Sequence, residues 1–292
     1  MTNKLEKPLA VVMWSGGYDS TLLVAKLLKE GRRVLALTFV NDAQSREQRI
    51  KEESARDELI PILQSLYPNG FEHYSMKVPH TDVPVEYYKY TDYDDSDTSE
   101  TYQSPVLSRQ RNCQPVLWLG SLAMYLPYIP NGSEIIFSYI ATDRTLVNLA
   151  HIEAVISSMA NILDKNFVVK FPLRHYLKSS VLHELYDINP KLFEACVSCE
   201  YPSFMYRKQC RICGCCTAVR DAIINLSTDT GVPNTGPDSV WPRYLRKWFG
   251  LELVEATLQK DEISNDAKDD SDEPLADCNC FNLSESVKEE SE

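Results

Sequence analysis

At 292 residues and 43% hydrophobic content, the chain is long enough for one large domain or two small ones and needs no disulfides to hold a core. Its net charge is −12, but Lys260 to Glu292 alone carries −9, and residues 1–259 hold 30 acidic against 27 basic side chains; this leaves no strong nucleic-acid footprint and favours a small-molecule substrate. Met1 to Pro8 lacks the apolar stretch and cleavage site of a secretory signal, and Leu9 to Trp14 is too short to span a bilayer, so a cytoplasmic protein with no membrane partner is expected.

Leu9 to Trp14 is an uninterrupted apolar run, the pattern of a strand buried on both faces. Thr21 to Lys29 follows as a helix with Leu22, Leu23, Ala25, Leu27 and Leu28 on its apolar side, Gly31 supplies the stop, and Val34 to Val40 is a second strand. This βαβ order predicts a doubly wound α/β domain around a mostly parallel sheet. Gln44 to Tyr67 reads as a long charged helix and Tyr74 to Val78 as a strand. The acidic stretch 91–104 reads as a mobile surface loop, and Tyr87, Tyr88 and Tyr90 before it as packing residues rather than base-stacking ones. Pro115 to Leu126 is predicted helical, Glu134 to Ala141 a strand, His151 to Leu163 a helix and Phe167 to Phe171 a strand. Lys178 to Tyr186 opens a helical region that contains a cysteine cluster and continues through Arg220 to Leu226; beyond about Glu255 the composition is that of a disordered acidic tail. The expected division is 1–175, 176–255 and 256–292.

Between the first strand and helix stands Ser15-Gly16-Gly17-Tyr18-Asp19-Ser20-Thr21. Two glycines let the backbone bend and approach a ligand, the helix start beyond offers N–H groups and a positive dipole end, and Ser15, Ser20 and Thr21 add hydroxyls: a phosphate cradle. The alternative is an Asp-capped strand-to-helix turn with no ligand. Neither G-x-x-x-x-G-K-[ST] nor G-x-G-x-x-G is present, which counts against γ-phosphoryl transfer and dinucleotide binding.

Six of the nine cysteines crowd between Cys196 and Cys216, a density that argues for metal in an intracellular chain. Cys199-x10-Cys210-x2-Cys213-x2-Cys216 suits a closed four-thiolate zinc site, and Cys196, Cys199, Cys210 and Cys213 form a rival ribbon-type set. Cys215 adjoins Cys216, and two neighbours bind one ion only under strain. On the first set, Cys216→Ser should lower metal content and Cys196→Ser should be nearly silent.

The glycine turn resembles the pyrophosphate loop of the PP-loop ATP pyrophosphatases, whose members cleave ATP between the α and β phosphates and join AMP to a substrate oxygen. The resemblance implies that Ser15, Gly16, Gly17, Ser20 and Thr21 hold the β and γ phosphates and that Asp19 helps to organise Mg2+. Together with the cysteine cluster, the loop resembles the 7-cyano-7-deazaguanine synthases, and that family's pattern selects Cys199, Cys210, Cys213 and Cys216 as the Zn2+ ligands. Leu35 to Phe39, Arg111-Asn112, and Pro172-Leu173 followed by Lys178 are similar to further segments of the family, while Val40 to Gln44 and Ser108 to Gln110 depart from it. The fold so implied is adenine nucleotide alpha hydrolase-like, a Rossmann-like sheet with a small helical zinc-binding region.

Three single residues carry paired expectations. Lys178 reaches a phosphate or acyl-adenylate oxygen, or is a solvated helix lysine; Arg111 pairs with a substrate carboxylate, or forms a surface salt bridge. Asp143, just past a predicted strand, faces the ligand or caps its turn. His151 and His175 are read as structural. The implied activity is ATP-dependent carbon–nitrogen ligation: 7-carboxy-7-deazaguanine is adenylated, ammonia displaces AMP to give the amide, and a second activation dehydrates it to the nitrile. The second reading is a diverged relative that passes the adenylate to another acceptor such as a protein amine, as in antiviral defence. A tRNA-thiolating pyrophosphatase is disfavoured by the near-neutral core. A homodimer and, in the second reading, a protein acceptor are further candidate partners.

Overall fold

The computed structural model describes residues 7–41, 46–78, 115, 118–199, 213–229 and 231–252. The expectations placed on Tyr87 to Tyr90, the 91–104 loop, Ser108 to Asn112, Cys210 and the 256–292 tail lie outside these described residues.

Five strands, β1 (Ala10–Met13), β2 (Val34–Asn41), β3 (Phe71–Val78), β4 (Glu134–Ile136) and β5 (Val168–Lys170), form one sheet in the order β3-β2-β1-β4-β5. Every pairing is parallel. The chain runs outward from β1 through β2 to β3, then returns to β4 on the other side of β1. That is a doubly wound α/β fold, with its topological switch point between β1 and β4.

Side chains alternate across β1. Ala10, Val12 and Trp14 join one apolar cluster, Val11 and Met13 the other, and all five are at most 1% exposed. The first cluster takes in α1 (Tyr18–Lys29) and the Ala55, Leu59 and Leu63 face of α2 (Arg46–Leu66); the second takes in Leu122 of α3 (118–125) and Ile152, Ile156 and Ala160 of α4 (Leu149–Ile162). Coverage on both faces explains why the strands read as continuous apolar runs.

Four more helices, α5 (Lys178–Ile188), α6 (Pro190–Ala195), α7 (Gly214–Thr228) and α8 (Trp241–Phe249), pack on the α1 side and share its apolar cluster. The sequence reading did not single out α6 or α8. Yet Trp241, Tyr244, Leu245, Trp248 and Phe249 stand at i, i+3, i+4, i+7 and i+8, the spacing of an amphipathic helix, and all five are buried. The start of α6 is an Asn189-Pro190 signal, with the Asn189 side chain accepting from the Lys191 and Leu192 amides.

Several boundaries shift. α1 begins at Tyr18 rather than Thr21, because Gly17 already supplies the extended cap (φ −79, ψ 170) and the Tyr18 ring is driven into the core between Phe193 and Trp248. β3 starts at Phe71, where pairing with the whole of β2 recruits residues that lack strand-like composition. β4 ends at Ile136 instead of Ala141: beyond it the chain turns, and the Asp143 carboxylate accepts the Ile140 amide at 2.7 Å.

Candidate functional site

The carboxyl ends of β1, β4 and β5 converge at the switch point, where parallel sheets place their ligands. From β1 comes the glycine turn. Gly16 adopts φ +86, a conformation that strains any residue with a Cβ, and a Cβ here would lie 3.0 Å from Arg56 Cγ. Gly17, in ordinary extended backbone, caps α1 and, lacking a side chain, adds no cap bond of its own. The Gly17 amide donates to Ser15 Oγ at 3.2 Å, and Ser15 Oγ lies 3.2 Å from Ser20 Oγ. Ser20 Oγ also accepts the Ser15 amide at 3.3 Å. The two serines thus hold the turn closed with hydroxyls able to re-aim toward an anion. Thr21 is placed differently: it is wholly buried, and its hydroxyl accepts from the Trp14 indole N–H at 3.1 Å.

Lys178, the first residue of α5, grips Asp19 with Nζ–O distances of 2.8 and 2.7 Å. One pair therefore joins the helix after β5 to the first turn of the helix after β1. Burial works against the Lys178 charge, but Asp19, with smaller help from Cys215 and Asp143, outweighs it and holds the ammonium above the usual lysine range. Asp143 is pushed up by burial and by the Asp19 carboxylate, against the Ile140 amide and Lys178. It caps its turn and also lies in the field of the Asp19–Lys178 pair.

α2 closes the third side. Arg56, 5% exposed, donates to the Ser15 carbonyl at 3.1 Å and stands 3.6 Å from Glu52. In a small cleft of about 40 Å3, Glu52 meets Met13, Trp14, Ser15, Leu37, Thr38, Phe39 and Trp118, beyond the ends of β1 and β2. Beneath the cleft, His73 packs edge-on against Trp14 at 5.2 Å and lies 3.2 Å from Thr38 Oγ1. Burial, reinforced by Arg56, lowers its pKa to about 4, so the ring is neutral near pH 7.

The cysteines meet beside this site. Cys199, Cys213 and Cys216 bring their sulfurs within 4.8 Å of one another, whereas Cys196 is fully buried in the apolar core and belongs to no such group among the described residues. Three convergent thiols suit a soft tetrahedral ion such as Zn2+. The group contains Cys216 and excludes Cys196, which favours the first sequence-derived set over the ribbon-type one. The cluster also touches the loop: the Val197 amide donates to the Gly16 carbonyl at 3.4 Å, and Lys51 Nζ of α2 lies 3.9 Å from Cys199 Sγ.

Sequence reasoning missed Lys51, Arg56, Ser198 and Trp118. Lys51 and Arg56 sit in a helix whose composition reads as solvated, and only the tertiary fold turns them inward. His175 is exposed and accepts from Arg174 Nε at 2.9 Å.

No protein-family model and no curated protein matches this chain. Among solved structures it is similar to NMN synthetase from Francisella tularensis, at 16% identity and TM-score 0.36 over 68% of each chain. It is also similar to a 4-thiouridine synthetase in an RNA complex with bound ATP, at 20% identity and TM-score 0.39, over 64% of this chain and only 42% of that one. At these values neither likeness bears on what this chain acts on. No helix among the described residues is long and apolar enough to cross a membrane.

Proposed function

We propose that this chain is an ATP-dependent, AMP-forming ligase that adenylates a carboxylate, with 7-carboxy-7-deazaguanine as substrate and ammonia as acceptor. The observation that carries the reading is the Lys178–Asp19 pair set at the mouth of a turn built on a left-handed Gly16. A cation and an anion are thereby fixed beside the α1 helix start at the switch point, where parallel sheets place anionic ligands. The first-turn amides of α1 with Ser15 and Ser20 receive the pyrophosphate portion of ATP. Thr21, tied to Trp14, supports the helix start instead of facing the ligand.

In the first round, a substrate carboxylate oxygen attacks the α-phosphorus. The bond to the α,β-bridging oxygen breaks, pyrophosphate leaves, and an acyl-adenylate remains. Lys178 offers N–H donors to the oxygens where charge builds, and the fixed α1 dipole favours the departing anion. Mg2+ held by Asp19 would supply charge neutralisation on the phosphates. Ammonia then attacks the acyl carbon, AMP leaves, and the nitrogen loses a proton to give the amide.

In the second round the amide oxygen attacks the α-phosphorus of another ATP and pyrophosphate leaves. Loss of AMP and of both nitrogen-bound protons yields the nitrile. One site serves both rounds because acid and amide present an oxygen in the same place. Zn2+ held by Cys199, Cys213 and Cys216, together with Cys210, would be structural, since four thiolates leave no open position.

Timed product analysis with 7-carboxy-7-deazaguanine, ammonia and ATP tests the substrate. Amide followed by nitrile is expected; consumption of the acid only on addition of a protein that gains the deazapurine mass would replace this reading with transfer to that acceptor.

A further inference from the structure

The segment 196–199 lies across the glycine turn, and that contact is not needed to build a zinc site. The Val197 amide reaches the Gly16 carbonyl. A Cβ placed on Gly17 would meet Ser15 Oγ at 3.3 Å and Ser198 Oγ at 3.5 Å. Two hydroxyls, one from each segment, therefore stand close to the residue that caps α1, and Ser198 is half-buried there. One position on, Cys199 is 3% exposed and faces Cys213, Cys216 and the Lys51 ammonium. Lys51 is itself only 6% exposed, and a buried ammonium is costly unless negative charge stands close by. Cys199 Sγ, 3.9 Å from Lys51 Nζ, is one group within reach of that ammonium. Five residues further along the same helix, Arg56 holds the Ser15 carbonyl. Helix α2 thus grips the cysteine cluster with one cation and the glycine turn with another.

From this geometry we propose that 196–199 is the second wall of the phosphate site: Ser198 is an additional binding residue for the nucleotide's phosphates, and Lys51 is a positioning residue that ties this wall to the cysteine cluster. Metal at the cluster and nucleotide at the turn then stabilise each other. Such coupling is reciprocal: a metal that tightens nucleotide binding is itself held more tightly when nucleotide is bound. The inference rests on the nucleotide reading above, and its test separates the two.

The probe pair is Zn2+ and α,β-methylene-ATP, which resists cleavage between the α and β phosphates. Nucleotide affinity is measured by calorimetry on the zinc-loaded full chain, and zinc release to a chromogenic chelator is timed with and without saturating nucleotide. Release should slow at least about fivefold with nucleotide bound. Ser198→Ala should keep full zinc content, weaken nucleotide binding severalfold and shrink the slowing. Lys51→Met should release zinc faster and lose the slowing, and Lys51→Arg should keep much of it. If Lys51→Met does not fold, the wild-type comparison decides alone. Normal nucleotide binding with unchanged zinc release overturns the coupling, as does a chain that takes up no zinc. Undiminished affinity in Ser198→Ala overturns the role of Ser198. If the zinc-loaded chain binds no nucleotide at all, the nucleotide reading falls and this inference falls with it.

Discussion

The glycine turn and the cysteine cluster solve the same problem, holding a charged ligand, by opposite means. The turn is mostly local: Ser15 to Ser20 are consecutive, the two serine hydroxyls bond within the segment, and the key property is one backbone angle at Gly16, with Arg56, Val197 and Lys178 reaching in from outside. The cluster is assembled at a distance: Cys199 leaves α6, Cys213 caps α7, Cys216 lies in its first turn, and Lys51 arrives from α2. A local device tolerates change elsewhere and fails at one residue. An assembled device depends on the fold around it and, without its ion, leaves thiols packed together with little to hold them.

The largest effect should come from the assembled side. Cys216→Ser should strip the metal and sharply lower soluble yield, because a structural zinc site contributes its binding free energy to folding. Cys196→Ser should leave zinc content unchanged by elemental analysis. Cys196 is wholly buried in the apolar core, however, so its serine variant, with a more polar side chain there, should melt somewhat earlier than the wild type while keeping its zinc. Equal zinc loss in both variants would mean that the cluster is not the one described.

Next in size is Lys178→Met, where the two devices meet ligand chemistry. Removing a donor from developing phosphate charge should cut kcat by about 10²–10³-fold, with the fold retained by circular dichroism. An unchanged kcat would reduce Lys178 to a structural partner of Asp19.

Gly16→Ala should cost about 1–2 kcal/mol from the left-handed backbone alone, and more if Arg56 cannot withdraw. Gly17→Ala, with negative φ and nearest approaches of 3.3 and 3.5 Å, should melt closer to the wild type. Thermal melting of the two variants in parallel ranks them; the reverse order would contradict the local account.

The smallest effect concerns His73, beneath the turn. Its folded pKa of about 4 lies below the ordinary 6.5, so the unfolded chain binds the proton more readily between those values. The stability it permits is complete above about pH 6.5 and declines as pH falls toward 4. His73→Gln should flatten that part of the pH–stability profile, whereas an unaltered slope would place the acid sensitivity elsewhere.

The same contrast explains what the sequence could reveal. The βαβ unit and the glycine turn were legible because apolar runs and consecutive small residues carry their geometry within a few positions. Helix starts were misplaced where a tertiary contact decides, as at Tyr18, whose ring is claimed by Phe193 and Trp248. Lys51 and Arg56 were illegible: in the helix sequence they look like any solvated cation, and their burial depends on segments far along the chain. Thr21 carries a contact that its place in the motif does not reveal: its hydroxyl accepts from the Trp14 indole N–H. The α8 helix, by contrast, had its full apolar spacing in view and was legible without any structure.

The measurement that bears most directly on the account is the identity of the nucleotide product. After incubation of the zinc-loaded chain with ATP, Mg2+, ammonia and 7-carboxy-7-deazaguanine, mass spectrometry should find AMP and pyrophosphate, formed only when the carboxylate is present. ADP and inorganic phosphate as the sole products would contradict the central claim, because they place the break at the γ-phosphate, a cleavage for which this glycine turn has no Walker lysine.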